Sequence, residues 1–427
     1  MYKKIKLLGI FTVLVSLAQA QTDNSPYSRY GLGNQTPGTN VMLRGMGGLG
    51  AAYSDILSVN FTNPASYSRL KRTTFDFAVE LDSRTLREID PPQKYTVNTP
   101  IITYLQFGLP LSKTRNWGMN IGLRPVNNIN YQILKSERLE GIDSVRTLYQ
   151  GNGGAYEVYT GTGFGIGKLS LGFNIGYLFG NKNYSSSRTF VPDSSNVFYL
   201  PARYSNETSY GGFFGMAGAQ YTITLAKKNM LRLGAYGRVK REFNAHDNRK
   251  VFTYTETQNG TAEIDVVTND TISGKITYPS SYGFGAIYHS GEKWLLGVDF
   301  AQAKWSEYRY FGAPDSVQDS WKLSVGGQVV PNATSPKSYW GRVTYRAGIS
   351  FGQDYVKVGN SLPVWTASFG LGLPLRPPSY TNQFSIINTT FEFGKRGNDS
   401  NSLTENFFRI SLGLTLSDIW FIKRKYD

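Results

Sequence analysis

Three carboxylates, Asp76, Glu80 and Asp82, share the even-numbered face of one alternating segment, beside two histidines, His246 and His289, and no cysteine. Two carboxylates in different environments can perform general acid–base chemistry. A Ser/His/Asp triad needs a histidine within reach of its nucleophile. Here His289 reads as a tight-turn residue and His246 as part of a long polar loop. The absence of cysteine excludes disulfides, thiolate nucleophiles, cysteine-ligated zinc and iron–sulfur clusters, and two histidines cannot build a three-histidine metal site. Gly45–Gly50 and Gly163–Gly167 lack the Lys-Ser/Thr of a phosphate-binding loop, and Asp315 and Asp319 do not make an EF-hand. No catalytic residue, metal or cofactor is expected. The carboxylates read instead as lumen ion-pair partners for Arg232, Arg238, Arg342 and Arg346, with Arg29, Arg44 and Arg409 as further partners.

A second set of residues could bind rather than react. Phe190, Phe198 and Tyr199, and then Tyr308, Tyr310 and Phe311, cluster on segments read as exposed loops. Exposed apolar clusters suit either capture of a hydrophobic ligand or docking of another protein.

The elements that must carry these residues show a two-residue rhythm, which places successive side chains on opposite faces of a strand. Leu169, Leu171, Phe173, Ile175 and Tyr177 alternate with Ser170, Gly172, Asn174 and Gly176. Trp294, Leu296, Val298 and Phe300 alternate with Leu295, Gly297, Asp299 and Ala301. Repetition of this pattern predicts about fourteen antiparallel strands between residues 73 and 416, with tight connectors alternating with long polar ones at 131–154, 185–205 and 244–271. Short turns at one end and long loops at the other are the mark of a transmembrane β-barrel. A soluble sandwich would point its apolar face inward. Glycine rows such as Gly161, Gly163, Gly165 and Gly167, or Gly370 and Gly372, favour the membrane reading, because an enclosed face admits close approach by other protein. Trp117, Trp294, Trp305, Tyr308, Tyr310, Trp365 and Trp420 would form interfacial girdles.

Composition agrees. The 427 residues are 40% hydrophobic and 18% charged, with a mean hydropathy of −0.32, which excludes a polytopic helical membrane protein. Net charge is +15, but the basic residues are scattered without a stripe or recognition helix, so nucleic acid is not an expected partner. Residues 1–20 read as a cleaved secretory signal: Lys3, Lys4 and Lys6, an apolar run, then Ala18-Gln19-Ala20. The destination is the Gram-negative outer membrane, with its lipid as the first partner. Residues 417–427 form a basic periplasmic tail. Residues 21–72 do not alternate and are too long for a lead-in. Because about eight strands already give a side-chain-filled interior, a barrel of about fourteen must be a water pore or be plugged. The 21–72 segment is expected to be that plug.

Within it, Gly45, Gly47 and Gly48, then Asp55, then Asn63-Pro64-Ala65 lead into the first strand. This arrangement resembles the N-terminal hatch of the long-chain fatty acid transporter (FadL-like) family. The resemblance implies an all-β, fourteen-stranded outer-membrane barrel with a hatch in its lumen. It also implies passage of small hydrophobic molecules past that hatch, with release through a lateral opening where a strand is kinked, as at Pro279. Asn63 and Pro64 also read simply as the turn that delivers the chain to strand one. Two departures stand out: Ser66 follows the motif where the family continues with glycine, and the last strand is followed by a basic tail. Such departures resemble divergent members that act as accessory subunits of outer-membrane secretion or assembly complexes. That is the alternative to transport.

Overall fold

The computed structural model describes residues 25–112, 115–139, 144–191, 199–226, 228–257, 260–291, 293–332, 338–375 and 383–420. The expected signal segment, residue 198 and the end of the basic tail lie outside these. In chain order the strands are β1 (Asn34–Gln35), β2 (Thr73–Glu88), β3 (Gln93–Ser112), β4 (Trp117–Arg138), β5 (Ser144–Ile166) and β6 (Leu169–Val191). Next come β7 (Ala202–Ala226), β8 (Asn229–Arg238), β9 (Arg241–Thr257), β10 (Gly260–Tyr278), β11 (Ser281–Ser290) and β12 (Trp294–Ala303). The remainder are β13 (Arg309–Tyr310), β14 (Ser320–Val329), β15 (Thr344–Val358), β16 (Asn360–Leu375), β17 (Phe384–Arg396) and β18 (Leu403–Asp418).

β7 pairs with β9 along one half and with β8 along the other, so β8 and β9 are halves of one wall strand. β10 and β11 are likewise halves of one, broken at Pro279-Ser280, where the sequence placed a kink. With β1 and β13 only two residues long, the wall has fourteen antiparallel strands, and β18 closes it against β2 from Leu403↔Glu88 to Asp418↔Thr73. Closure satisfies the strand N–H and C=O groups that lipid cannot.

The outward face carries Phe173, Ile175, Leu296, Val298, Phe369 and Leu412, all exposed, as a belt facing lipid requires. The inward face carries Asp76, Gln106, Asn120, Glu157, Asn174 and Gln220, all buried. Trp117, Trp294, Trp365 and Trp420 are exposed near the short-turn or belt margins, but Trp305 and Tyr308 are fully interior and belong to no girdle.

The segments read as long polar loops are mostly strand. β4 and β5 continue to Arg138 and from Ser144, and 244–271 is nearly all β9–β10 hairpin. Beyond the belt both faces of a strand meet water or polar neighbours, so the alternation that marks a half-lipid strand disappears while its hydrogen bonds persist. His246 accordingly sits on β9 beside Ser273 (3.0 Å), and His289 on β11 opposite Met230 and Leu295, rather than in a loop and a turn. The alternating strand that starts at Trp294 ends at Ala303 because the chain turns inward through a 3₁₀ turn at Trp305–Glu307.

The cylinder is closed by hydrogen bonds only through its lipid-facing zone. β3 pairs with β4 between Leu105↔Leu123 and Ser112↔Trp117, and the halves beyond, Gln93–Tyr104 and Arg124–Arg138, do not pair with each other. Pro100 and Pro125 lack the N–H a ladder needs, and irregularities flank Ala78/Val79 and Pro125/Asn127. In place of β3, β1 pairs with β4 at Asn34↔Asn128 and Gln35↔Asn127.

Candidate functional site: the filled lumen

Residues 25–70 are buried along most of their length and lie against the inward face of the wall. Their local structure is set by short capped turns. Ser25 caps Pro26–Arg29 by accepting the Tyr27 N–H (3.1 Å), and Asn40 caps the turn Val41–Arg44 through Leu43 N–H (2.9 Å). Gly47 and Gly48, at φ of +73° and +90°, then bend the chain in a way a side chain would resist. Asn63 Oδ1 caps the turn Pro64–Arg69 by accepting the Ala65 N–H (3.1 Å), and Pro64 supplies its preset φ at the first helical position.

Asn63 also anchors. Its Nδ2 group donates to Ala51 O (2.6 Å) and reaches Ala219 O (3.3 Å) on β7 and Ala235 O (3.2 Å) on β8. Asn63 therefore forms the expected turn and ties it to the wall in one geometry. Asp55 stays within the segment, accepting from Leu57 N–H (2.7 Å) and Tyr53 O–H (3.0 Å). Gly45 lies against Gly370, where an added Cβ would stand 3.1 Å from the Gly370 Cα.

The wall is notched to receive this backbone. A Cβ on Gly118 would fall 2.1 Å from Tyr67 O, on Gly172 2.4 Å from Pro64 O, on Gly234 2.0 Å from Ala51 O and on Gly326 2.3 Å from Met46 O. These glycines occupy the inward parity of their strands. Gly50 and Ala51 donate their N–H groups to Asp299 Oδ2 at 2.6 and 2.7 Å, and Gln220 Nε2 donates to Ala51 O and Tyr53 O at 3.0 Å each.

Charged groups complete the fit. Arg44 pairs with both Glu80 and Glu392. Arg409 reaches Asp82 (3.2 Å) and Glu80 (3.8 Å), and Arg84 bridges Asp82 and Glu405 at 2.9 Å each. Arg396 links Asp354 (2.9 Å) and Glu405 (3.4 Å), and Glu405 also accepts from the Ser25 hydroxyl. Across the lumen Glu157 holds Arg124 (2.5 Å) and Arg238 (2.7 Å). Breaking one such buried pair by removing a partner costs about 3–5 kcal/mol, because the other charge is left desolvated.

Of the expected ion-pair residues, Glu80, Asp82, Arg44, Arg238 and Arg409 sit in these networks. Arg29 lies over the Tyr149 ring instead, and four others have no ion pair among the described residues. Asp76 accepts from Tyr104 and Thr415 hydroxyls (3.3 Å each) and meets no cation among the described residues. Arg232 is held by Thr222 Oγ1 and Ser54 O, and Arg346 by Gln328 and Asn388 side chains. Arg342 lies on the short helix Tyr339–Arg342 at the short-turn end, over the Tyr339 ring. Parity puts a residue inside; only register decides which charge stands opposite. The same limit hid Glu157, Glu392, Glu405, Arg84 and Arg396. Their parity was legible and their partners were not.

The second aromatic cluster is not an exposed one. Trp305 stacks against Tyr355 with centroids 4.2 Å apart, Tyr308 is fully buried with its hydroxyl donating to Gly31 O (3.2 Å), and Tyr310 and Phe311 are half-buried. Residues 304–319 thus fold inward as a cap on the N-terminal segment, with Asp315 accepting the Gly31 N–H (2.8 Å). Burial raises the Tyr308 phenol well above its ordinary value. Tyr199 remains exposed with Phe190 half-buried beside it, centroids 5.0 Å apart, and Phe198 lies outside the described residues.

A cavity of about 460 Å³ lies between Asn34–Thr39 and the wall. Phe61, Trp305 and Tyr355 contribute to its lining, but Arg84, Arg124, Lys322, Asp354, Glu392 and Arg396 do too. Its chemistry is charged and aromatic rather than that of an oily tunnel.

Three solved barrels show the same fold. The Pseudomonas putida toluene transporter TodX aligns at a TM-score of 0.59 and 16% identity, over 90% of this chain and 99% of its own. A Pseudomonas aeruginosa FadL homologue aligns at 0.57 and 12%, over 90% and 98%. The Ralstonia pickettii toluene transporter TbuX gives 0.56 and 13%, over 90% and 99%. No curated protein sequence matches. The architecture is that of the FadL-like barrels, reached by a divergent sequence, and the family profile that matches is BamG, over residues 1–427. The chain belongs to the BamG family.

Proposed function

We propose that this protein is a plugged outer-membrane barrel that serves as a non-transporting subunit of an outer-membrane assembly complex. The observation that carries this reading is the keyed fit of residues 25–70 to the wall. Glycine notches on β4, β6, β8 and β14 take its backbone, and Arg44 joins it to carboxylates of β2 and β17. A plug that must move to pass a ligand would have to pull Arg44 away from Glu80 and Glu392, and a buried charge left without its partner costs about 3–5 kcal/mol. An apolar ligand would also have to cross a lining of arginines and carboxylates. The Bam designation of the family points toward assembly as well.

Passage of a small hydrophobic molecule is the second reading. It is favoured by the unpaired halves of β3 and β4, which leave a break in the wall beside the cavity, and by the barrel architecture shared with TodX and TbuX.

Native mass spectrometry of the protein extracted from its own outer membrane separates the two. Partner subunits without a retained hydrophobic ligand are expected. A lone barrel carrying a hydrophobic ligand near stoichiometry would overturn the assembly reading in favour of transport.

A further inference from the structure

β10 is paired with β9 along its whole length, from Gly260↔Thr257 to Tyr278↔Arg241. Its other edge meets a strand only at the base, where β13 pairs through Ile276↔Tyr310 and Thr277↔Arg309 and Phe311 N–H donates to Lys275 O (3.0 Å). Phe311, at a φ of +50°, then turns the chain away. From Gly260 to Gly274 no strand among the described residues covers this edge. The stretch lies beyond the Pro279-Ser280 break, on the side away from the short turns, where long hairpins of such barrels stand in water.

A bare edge invites another strand, and proteins blunt it with lysine, proline or short length. Between Gly260 and Gly274 there is no proline, lysine or arginine, and the stretch is rich in Thr, Val and Ile. Ile264, Val266 and Val267 are 55%, 43% and 68% exposed outside the lipid belt. All its charges are of one sign. Glu263 is held by Lys250 (2.5 Å), whereas Asp265 and Asp270 have no ion pair among the described residues. In a chain of net charge +15 this is a local acidic strip. β13 demonstrates that the edge accepts an antiparallel strand.

We infer that the free edge of β10 is a strand-addition site for an extended, lysine- or arginine-bearing segment of a partner protein at the cell surface. Main-chain hydrogen bonds continuing the ladder begun by β13 supply affinity, and Asp265 and Asp270 select a basic strand. The inference rests on the assembly-subunit reading for the existence of a partner and adds where that partner attaches.

The test uses the full chain in detergent micelles with two synthetic peptides of about eight residues that alternate valine with lysine or valine with glutamate. Amide hydrogen exchange should slow roughly tenfold across residues 261–274 with the lysine peptide and stay unchanged with the glutamate peptide. In D265K/D270K the preference should reverse. Unchanged exchange with the lysine peptide, or equal protection by both, would overturn the inference. Protection that rises with protein concentration alone would assign the edge to a second copy and overturn it too. In cells, D265K/D270K should assemble as a heat-modifiable barrel yet lose at least one co-purifying subunit. Retention of the full complex sinks the β10 site and leaves the assembly reading standing. A wild-type protein that purifies alone sinks that reading, while the peptide measurement still judges the edge.

Discussion

At Gly118 the wall and the N-terminal segment are separated by the absence of one carbon atom. Replacing it with valine would put a Cβ 2.1 Å from Tyr67 O, so either the strand or the turn Pro64–Arg69 must move. We expect G118V to form a barrel of lower unfolding midpoint in urea and to pass measurable ion current in a planar bilayer. Wild-type current from a folded G118V barrel would mean that the notch is dispensable. Arg44 presents the electrostatic counterpart. R44M strands Glu392 and deprives Glu80 of one of its two arginines, so stability should fall by about 3–5 kcal/mol. Adding E392Q should restore part of the loss, and denaturant titration of the two variants in detergent reads both effects. Equal stability of R44M and R44M/E392Q would show that packing, not charge burial, governs the site.

At the level of elements, the cap formed by residues 304–319 is held by Trp305 and Tyr308 rather than by strand pairing alone. The Tyr308 phenol is raised by burial, with the Asp315 carboxylate as the next cause. Its proton is therefore retained in the folded cap at a pH where the opened cap has lost it. The associated stability is complete below the ordinary tyrosine value of about 10 and declines as pH rises toward the folded value. Proteolysis of the 304–319 segment should consequently accelerate from about pH 10 upward in the wild type. Y308F should lose about 1 kcal/mol at neutral pH through the missing hydrogen bond, and its rate should rise less steeply with pH. Identical pH slopes for the two proteins would place the alkaline sensitivity elsewhere. The same scale explains the strand lengths: β4, β5, β9 and β10 outlast their sequence signal because alternation is imposed by lipid on one face, and that constraint ends at the belt.

For the molecule as a whole, the proposed plug makes a simple claim about the lumen. Deleting residues 25–70 removes the partners of Asp299, Gln220 and the inward glycines, and leaves a fourteen-stranded wall with only the 304–319 cap inside it. Planar-bilayer recordings should then show large, steady conductance where the intact protein shows little. If the deleted barrel folds and remains closed, the plug assignment is wrong. If the intact protein already conducts freely, the seam between β3 and β4 is an open pore and the transport reading gains.

The lipid-facing strands, the barrel class and the lumen-directed identity of Asp76, Glu80, Asp82, Gly161, Gly163, Gly370 and Gly372 were readable in the chain itself, because period-two alternation is a local consequence of strand geometry; Gly167, counted in the same row, is instead an exposed turn residue at a φ of +59°. The Asn63-Pro64-Ala65 turn was readable for the same reason, since a cap and a proline act within a few residues. Local rules do not fix which strand faces which across the lumen. The tertiary structure alone therefore paired Arg44 with Glu392, left Asp76 without a cation, and turned Trp305 and Tyr308 from a girdle into a cap. It also decided where the wall stops closing: β3 and β4 part, and β10 keeps a bare edge, because hydrogen-bond pairing depends on what the rest of the chain brings alongside.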